Sequence, residues 1–414
     1  MSDEIISDEV MSDAGISGAP WLTIVGLGED GLDGVPMASR QAIEAAEIIM
    51  GAARHIALLP EVAAQRVTWP VPFADGIAQL LSYRGKRVVM LASGDPFWYG
   101  AGTSIAKHLT RGEWVAHPVA STFSLAASRL GWALQETLCL GLHAAPLARL
   151  RPYLHSGARM ILTLRDGAAV SELAEYLRSV GFGGSTLSVL EALGGPRERR
   201  HDVSVAEALK GGFSHPLVVG VTVEGAGGVI PLASGRPDDL FDNDGQITKR
   251  PVRALTLSAL APRPHEHLWD IGGGSGSIGI EWLWAHPSLR ASAVEINAER
   301  ADRIRENAAQ LGADRLQVIT GAAPAVLGQL EAPDAVFIGG GISEEMLDEV
   351  WARMPAGARL VANAVTLEAE VLLALWHADK GGQLLRIELA ESKPLGRKRG
   401  WKSSYPIVQW SVVK

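Results

Sequence analysis

Asp270, Gly272, Gly274 and Gly276 stand within one seven-residue stretch, and Glu295 follows 25 positions after the first of them. An apolar strand runs into Asp270, the glycines form a loop, and Ile278-Gly-Ile-Glu-Trp282 begins a helix. Glycine lets the backbone turn sharply and lets a ligand approach bare peptide. The strand–loop–helix order places that ligand at the carboxyl end of a parallel strand, beside a helix N-terminus. Glu295, near the end of the next strand, stands where such folds hydrogen-bond a ribose. Gly274, Gly276 and Gly279 also satisfy the GxGxxG pattern of dinucleotide sites. Asp270 tells against that ligand, because a carboxylate at the strand tip repels a pyrophosphate and suits the cationic, amino-acid end of S-adenosylmethionine. The stretch reads as a methyl-donor site, with NAD as the competing ligand.

A second loaded turn, Ser93-Gly-Asp-Pro-Phe-Trp-Tyr-Gly100, follows the buried strand Arg87-Val-Val-Met-Leu-Ala92. Gly94 permits positive φ, Asp95 accepts hydrogen bonds or steers a cation, and Pro96 fixes the exit. Ser121 or Thr122 caps the helix expected over 123–130. Gly194-Gly-Pro-Arg-Glu-Arg-Arg200 is a basic turn, either a solvated loop or a seat for a carboxylated ligand. No His/Asp or Cys/His pair has motif spacing, so the catalytic residues are unknown. The lone Cys139 excludes an intramolecular disulfide and a cysteine zinc site, and no metal is expected.

Around these residues, 414 positions suggest two or three domains. A hydrophobic fraction of 47% with 20% charge fits a soluble globular protein with a large core. No apolar run reaches the roughly 18 residues that span a bilayer, so no membrane partner is expected. The acidic start, Met1-Ser-Asp-Glu-Ile-Ile-Ser-Asp-Glu-Val10, is not a secretory signal, and the expected location is cytoplasmic. Residues 1–19 read as a disordered tail. A net charge of −8 argues against a nucleic-acid partner.

Residues 21–25 form a strand broken by Gly26-Leu-Gly-Glu-Asp-Gly31, and a helix is expected over 36–50 with Ile43, Ala46 and Met50 on one face. Strands at 158–164, 187–190 and 217–223 and a helix at 168–180 follow. Gly, Pro and Asp crowd 224–245 and mark a boundary. The expected domains are therefore 20–225 and 244–414, joined by a linker at 226–243. In the second, an amphipathic helix over 297–311 alternates with strands at 316–319, 334–338 and 359–363, which means a parallel sheet covered by helices on both faces. Strands at 384–389 and 407–413 are expected to close it as antiparallel edges around a basic loop, 396–402.

Taken together, Gly26-Leu-Gly28, the Ser93–Gly100 turn, Ser121-Thr122 and Leu162-Thr-Leu-Arg-Asp-Gly167 resemble the tetrapyrrole (corrin/porphyrin) methylase family. The second half is similar to the precorrin C15-methylating, decarboxylating proteins through Asp244-Gly-Gln-Ile-Thr-Lys-Arg250, the 270–276 loop, Phe337-Ile-Gly-Gly340 and Val361-Ala-Asn-Ala-Val-Thr-Leu-Glu368. The resemblance covers about 20–414. It implies an α/β, two-lobed methylase domain followed by a Rossmann-like class I methyltransferase domain. It also implies methylation of a precorrin at C5 and C15, with decarboxylation of the ring C acetate, in cobalamin biosynthesis.

Two S-adenosylmethionine sites follow from it. Gly94, Asp95, Ser121, Thr122 and Leu164 would form the first, and Asp270, Gly272, Gly274, Gly276 and Glu295 the second. Glu29 departs from the first family, which often has proline there. Ala322 departs from the second, where many such sites carry an acid after Gly321. The carboxylates of a precorrin need Arg or Lys partners, and Lys249, Arg250, Arg253, Arg397, Lys398 and Arg399 are the candidates. A homo-oligomer is expected. The competing reading, a methyltransferase acting on RNA or protein, would want an Asn-Pro-Pro-Tyr-type motif after Asp334, where Ala-Val-Phe-Ile-Gly-Gly stands.

Overall fold

The computed structural model describes residues 19–414, so the expected tail lies almost wholly outside the described residues. The chain divides into two units, Met1–Ala144 with Ser156–Ala226, and Ala145–His155 with Gly227–Lys414.

The first unit holds two five-stranded sheets. One is wholly parallel, in the order Gln65–Thr68, Ile48–Gly51, Val88–Ser93, Leu22–Leu27 and Trp114–His117. Its central strands are near-continuous apolar runs because both faces are covered. Ile24, Met90 and Trp69 pack on one side, and Val25, Ile49 and Leu91 on the other. The helix expected over 36–50 stops at Ala45, and Ile48–Gly51 is a strand. The β-branched pair Ile48-Ile49 suits a buried pleated strand better than a helix turn. The second sheet runs Leu138–Gly141, Arg159–Thr163, Leu217–Thr222, Thr186–Glu191 and Arg199–Ser204, with one parallel and three antiparallel pairings.

The second unit is a seven-stranded sheet in the order Leu316–Thr320, Arg290–Glu295, His267–Ile271, Ala335–Ile338, Arg359–Ala364, Ile407–Val413 and Gln383–Ile387. The first five strands are parallel. Chain order reverses on either side of His267–Ile271, and a crevice opens at the carboxyl ends there. Ile407–Val413 is an internal strand, contrary to the expected edge, because it pairs on both sides and buries Val408, Trp410 and Val412. Of the two strands expected at the edge, Gln383–Ile387 takes that place, with Leu316–Thr320 at the opposite edge. The expected basic loop is the turn and second strand of an exposed hairpin, Ala390–Leu395 with Lys398–Ser403.

Residues 230–242 are packed chain rather than free linker. Ile230 and Phe241 belong to the core of the second unit, and the Asp242 amide donates to Asn307 Oδ1 at 2.9 Å. Gly, Pro and Asp there shape an irregular strap held by side chains. A fragment starting at Gly227 is therefore expected to be more stable than one starting at Asn243, by about 2–3 kcal/mol for the burial of Phe241 alone. Urea melts of the two fragments check this, and equal midpoints would place the boundary back at 243.

Candidate functional site

In the second unit a cavity of about 770 Å³ opens over the strand ends. Gly272, Gly274 and Glu295 line it together with Lys249, Ala322 and Asn363. Gly272 and Gly274 have φ of +75° and +59°, and a Cβ at Gly274 would meet the Gln246 carbonyl oxygen at 2.9 Å. Both therefore need glycine. Glu295 is buried, with Oε2 accepting from the Gly274 amide at 2.9 Å and Oε1 from the Asn297 amide at 3.0 Å. The carboxylate that could meet a ribose thus also shapes the loop. Ile296 beside it is exposed and offers an apolar face.

Asp270 and Gly276 do not line this cavity. Asp270 is buried beneath the loop and accepts from the Gly279 amide at 3.0 Å, so it ties strand end to helix start instead of meeting a cationic ligand directly. Gly276 is likewise packed, its missing Cβ 2.7 Å from Ile304. Burial pushes the Asp270 carboxyl up to about 7; the Gly279 amide opposes this and the Glu295 charge adds to it. Its Oδ1 has no hydrogen-bond partner among the described residues. The native state thus holds a proton that the unfolded chain releases near pH 4, at the ordinary carboxyl value. Stability therefore falls as pH rises from about 4 to about 7. Asp270→Asn is expected to flatten that window and to raise the unfolding midpoint of the second unit at pH 8. A lower midpoint at pH 8 would show that the loop needs the charged form.

Of the six cations expected to meet substrate, Lys249 lines the cavity. Arg250, Arg397, Lys398 and Arg399 are exposed. Arg253 leaves the set: its guanidinium is fully buried on Glu281 at 2.7 Å and Asp238 at 2.9 Å. A side chain already coordinated on every side has nothing left to offer a ligand. The cavity residues that were not expected include Arg300, Asn363 and Tyr405. Asn363 lay inside the quoted 361–368 stretch, and Tyr405 gave no signal at all.

In the first unit a cavity of about 680 Å³ is lined from both sheets. Gly94, Asp95, Ser121, Thr122 and Leu164 all border it. Gly94 has φ +53°, and a Cβ there would stand 3.1 Å from the Ala120 carbonyl. Asp95 Oδ1 accepts from the Phe97 amide at 2.8 Å, closing its own turn. Ser121, not Thr122, caps the helix Thr122–Leu130, its Oγ accepting from the Ser124 amide at 3.0 Å. Trp69, Val71, Phe73 and Trp98 supply apolar wall, with Trp69 and Phe73 stacked at 4.7 Å.

Two polar residues of this cavity, Arg54 and His55, were not legible in the sequence. Arg54 bridges Glu29 Oε1 and Ser93 Oγ at 2.5 Å each, and His55 Nε2 lies 3.2 Å from the same Ser93 Oγ. Burial, with the Arg54 charge, pushes His55 down to about 3, so its ring is neutral. Nothing in a five-residue helix, Ala53–Ala57, announces these two side chains. No helix of the described residues is long and apolar enough to cross a membrane.

Two family models match the chain. The family described as tetrapyrrole (corrin/porphyrin) methylases matches residues 21–209, and that described as the precorrin methyltransferase domain matches 239–414. A precorrin-6Y C(5,15)-methyltransferase [decarboxylating] from Sinorhizobium sp is 47% identical over 96% of this chain and 97% of its own. A cobalt-precorrin-6B C(15)-methyltransferase (decarboxylating) from Salmonella typhimurium is 31% identical over 41% of this chain and 91% of its own. The crystal structure of the C-terminal domain of a precorrin-6Y C5,15-methyltransferase from Rhodobacter capsulatus is 52% identical, covering 45% of this chain and all of that one, with a TM-score of 0.43. With near-complete mutual coverage at that identity to the Sinorhizobium protein, the chain belongs to the decarboxylating precorrin-6Y C(5,15)-methyltransferase family.

Proposed function

We propose that the chain methylates a precorrin at C5 in its first unit and at C15 in its second, where the ring C acetate is also lost as carbon dioxide, within cobalamin biosynthesis. The observation that carries the reading is the pair of separate cavities, each built at the carboxyl ends of parallel strands around a positive-φ glycine. One displacement site places one methyl at one position, so two positions favour two sites. The donor sets fit S-adenosylmethionine at both. Gly94, Asp95, Ser121, Thr122 and Leu164 would hold it in the first unit. Gly272, Gly274 and Glu295 would do so in the second, with Asp270 and Gly276 bracing the loop from beneath. When bound, that cofactor supplies a methyl group on a sulfonium for in-line displacement.

The chain's own part is mainly orientation and exclusion of water. An electron-rich meso carbon attacks without a strong base, in keeping with the neutral His55 and the absence of motif-spaced pairs in the sequence. Lys249, at the cavity, and Arg250, Arg397, Lys398 and Arg399, exposed around the hairpin and the strap, are the proposed partners of substrate carboxylates. The partly apolar walls favour losing a carboxylate over keeping one. The exposed hairpin with Leu395 and Trp401 uncovered supports a homo-oligomer.

The full chain with methyl-labelled S-adenosylmethionine and a precorrin pool should give a product carrying two new methyls and lacking one carbon dioxide by mass spectrometry. Calorimetry should find about two S-adenosylhomocysteine sites per chain. A single site would sink the two-enzyme reading.

A further inference from the structure

Glu29 leaves the glycine turn after Leu22–Leu27 with its side chain only 10% exposed, between two arginines. Arg54 Nη1 donates to Oε1 at 2.5 Å and Arg197 Nη2 to Oε2 at 3.2 Å. Arg54 belongs to the lobe of the parallel sheet, whereas Arg197 comes from the turn between Thr186–Glu191 and Arg199–Ser204 of the other sheet. That turn presses on Glu29: a Cβ on Gly195 would stand 2.6 Å from the Glu29 Cβ. One carboxylate therefore serves two cations at the junction of the lobes and leaves an excess positive charge. Trp69, Phe73 and Trp98 line the same cavity as Arg54. A cavity that combines aromatic wall with an arginine held on a displaceable carboxylate suits a flat apolar ligand with carboxylates on its rim.

We propose that Arg54 and Arg197 form a carboxylate subsite for a peripheral side chain of the tetrapyrrole, and that Glu29 is a placeholder which the substrate's carboxylate displaces. The substrate class rests on the function proposed above; the subsite rests on the geometry. Burial pushes the Arg54 guanidinium down and the Glu29 charge holds it up. Whatever displaces Glu29 is favoured if it brings an anion of its own, since the partly buried Arg54 would otherwise lose its counter-ion. Each arginine gives the carboxylate one N–H, one per oxygen, so the pair of contacts spans both oxygens of a planar carboxylate. The placeholder lines the cavity with Arg54 and holds Arg197 on its second oxygen from outside the lining, so less ordering remains when substrate takes its place.

The placeholder and a plain interlobe tie differ in sign. Initial rates of C5 methylation in the full chain are read by product mass against precorrin concentration at saturating S-adenosylmethionine. Carbon dioxide release by the second unit serves as the internal control. Glu29→Gln removes the competitor and should lower the KM for precorrin about threefold or more. Arg54→Ala should raise it about tenfold or more, and Arg54→Lys, which keeps the charge and loses the fork, should raise it by less. Carbon dioxide release should be unchanged in all three. A KM that rises or stays level in Glu29→Gln overturns the placeholder, and a KM unmoved in both Arg54 variants overturns the subsite. A wild-type chain that adds no methyl at C5 removes the functional reading instead, whatever the variants do.

Discussion

Glu281→Ala is expected to destabilise the second unit by about 3–5 kcal/mol, the range for breaking a buried ion pair and leaving its partners charged. Glu281 lies on the helix Ser277–Ala285, directly after the glycine loop, with no exposed side-chain surface. Its Oε1 accepts from Arg253 Nε at 2.7 Å and from the Arg236 amide at 2.9 Å. Oε2 accepts from Arg236 Nη1 at 3.0 Å and from the Gly235 amide at 2.8 Å. Four donors thus converge on one carboxylate, and two of them are guanidinium groups that cannot neutralise themselves by losing a proton. Removing the acid leaves both cations in a dry interior. Arg253 also donates to the Thr248 carbonyl, and Thr248 lines the cavity, so S-adenosylhomocysteine should bind more weakly as the strap loosens. Denaturant titration should show a lower midpoint with an unchanged slope. The triple change Glu281→Leu with Arg253→Met and Arg236→Met should recover much of the loss, because it removes both stranded cations along with the acid and so avoids the desolvation cost. A midpoint within about 1 kcal/mol of wild type in Glu281→Ala would mean that water reaches the network.

The same network shows where sequence reading stops. Arg253 carries the same charge and stands in the same basic stretch as Lys249 and Arg250, and only the packing separates one buried guanidinium from two exposed cations. Strand–glycine–helix order at 268–281 and the spacing of Ala301, Ile304 and Ala308 were legible because local periodicity and burial agree there. Gln65–Thr68 and Trp114–His117 were not, since these short edge strands carry mixed polar and apolar faces and owe their state to a neighbour distant in sequence. Asp270 was legible as a special position but not in its role. A carboxylate at a strand tip looks the same on paper whether it faces a ligand or the amide of Gly279. At the polar part of the first cavity the sequence offered the basic turn that carries Arg197, the turn that starts at Ser93 and the unusual Glu29, but not Arg54 or His55. The four groups Glu29, Arg54, Ser93 and Arg197 meet only after four separate elements have been placed.

Gly26→Ala and Gly274→Val are expected to abolish different halves of the chemistry, by about 100-fold or more each, since a misplacement of about 1 Å is enough for that. A Cβ on Gly26 would lie 1.9 Å from the Gly94 carbonyl oxygen and 3.0 Å from the Val119 amide nitrogen. Both obstacles are backbone and cannot rotate away. They are also locked together, because the Val119 amide donates to the Gly94 carbonyl at 3.2 Å and the Gly94 amide to the Leu27 carbonyl at 3.1 Å. The strand end must therefore shift, and with it the turn that places Gly94 and Asp95 at the first cavity. Gly274 is confined differently. At φ +59° a β-branched side chain is a genuine outlier, and its Cβ would press on the Gln246 carbonyl at 2.9 Å, opening the loop that Glu295 holds. Each variant should lose one of the two S-adenosylhomocysteine sites and keep the other. Carbon dioxide release should persist in Gly26→Ala, with a product carrying one methyl and lacking one carbon dioxide, and should vanish in Gly274→Val. If Gly26→Ala stops carbon dioxide release, or if both variants lose the same site, the assignment of C5 to the first unit and of C15 with decarboxylation to the second is wrong.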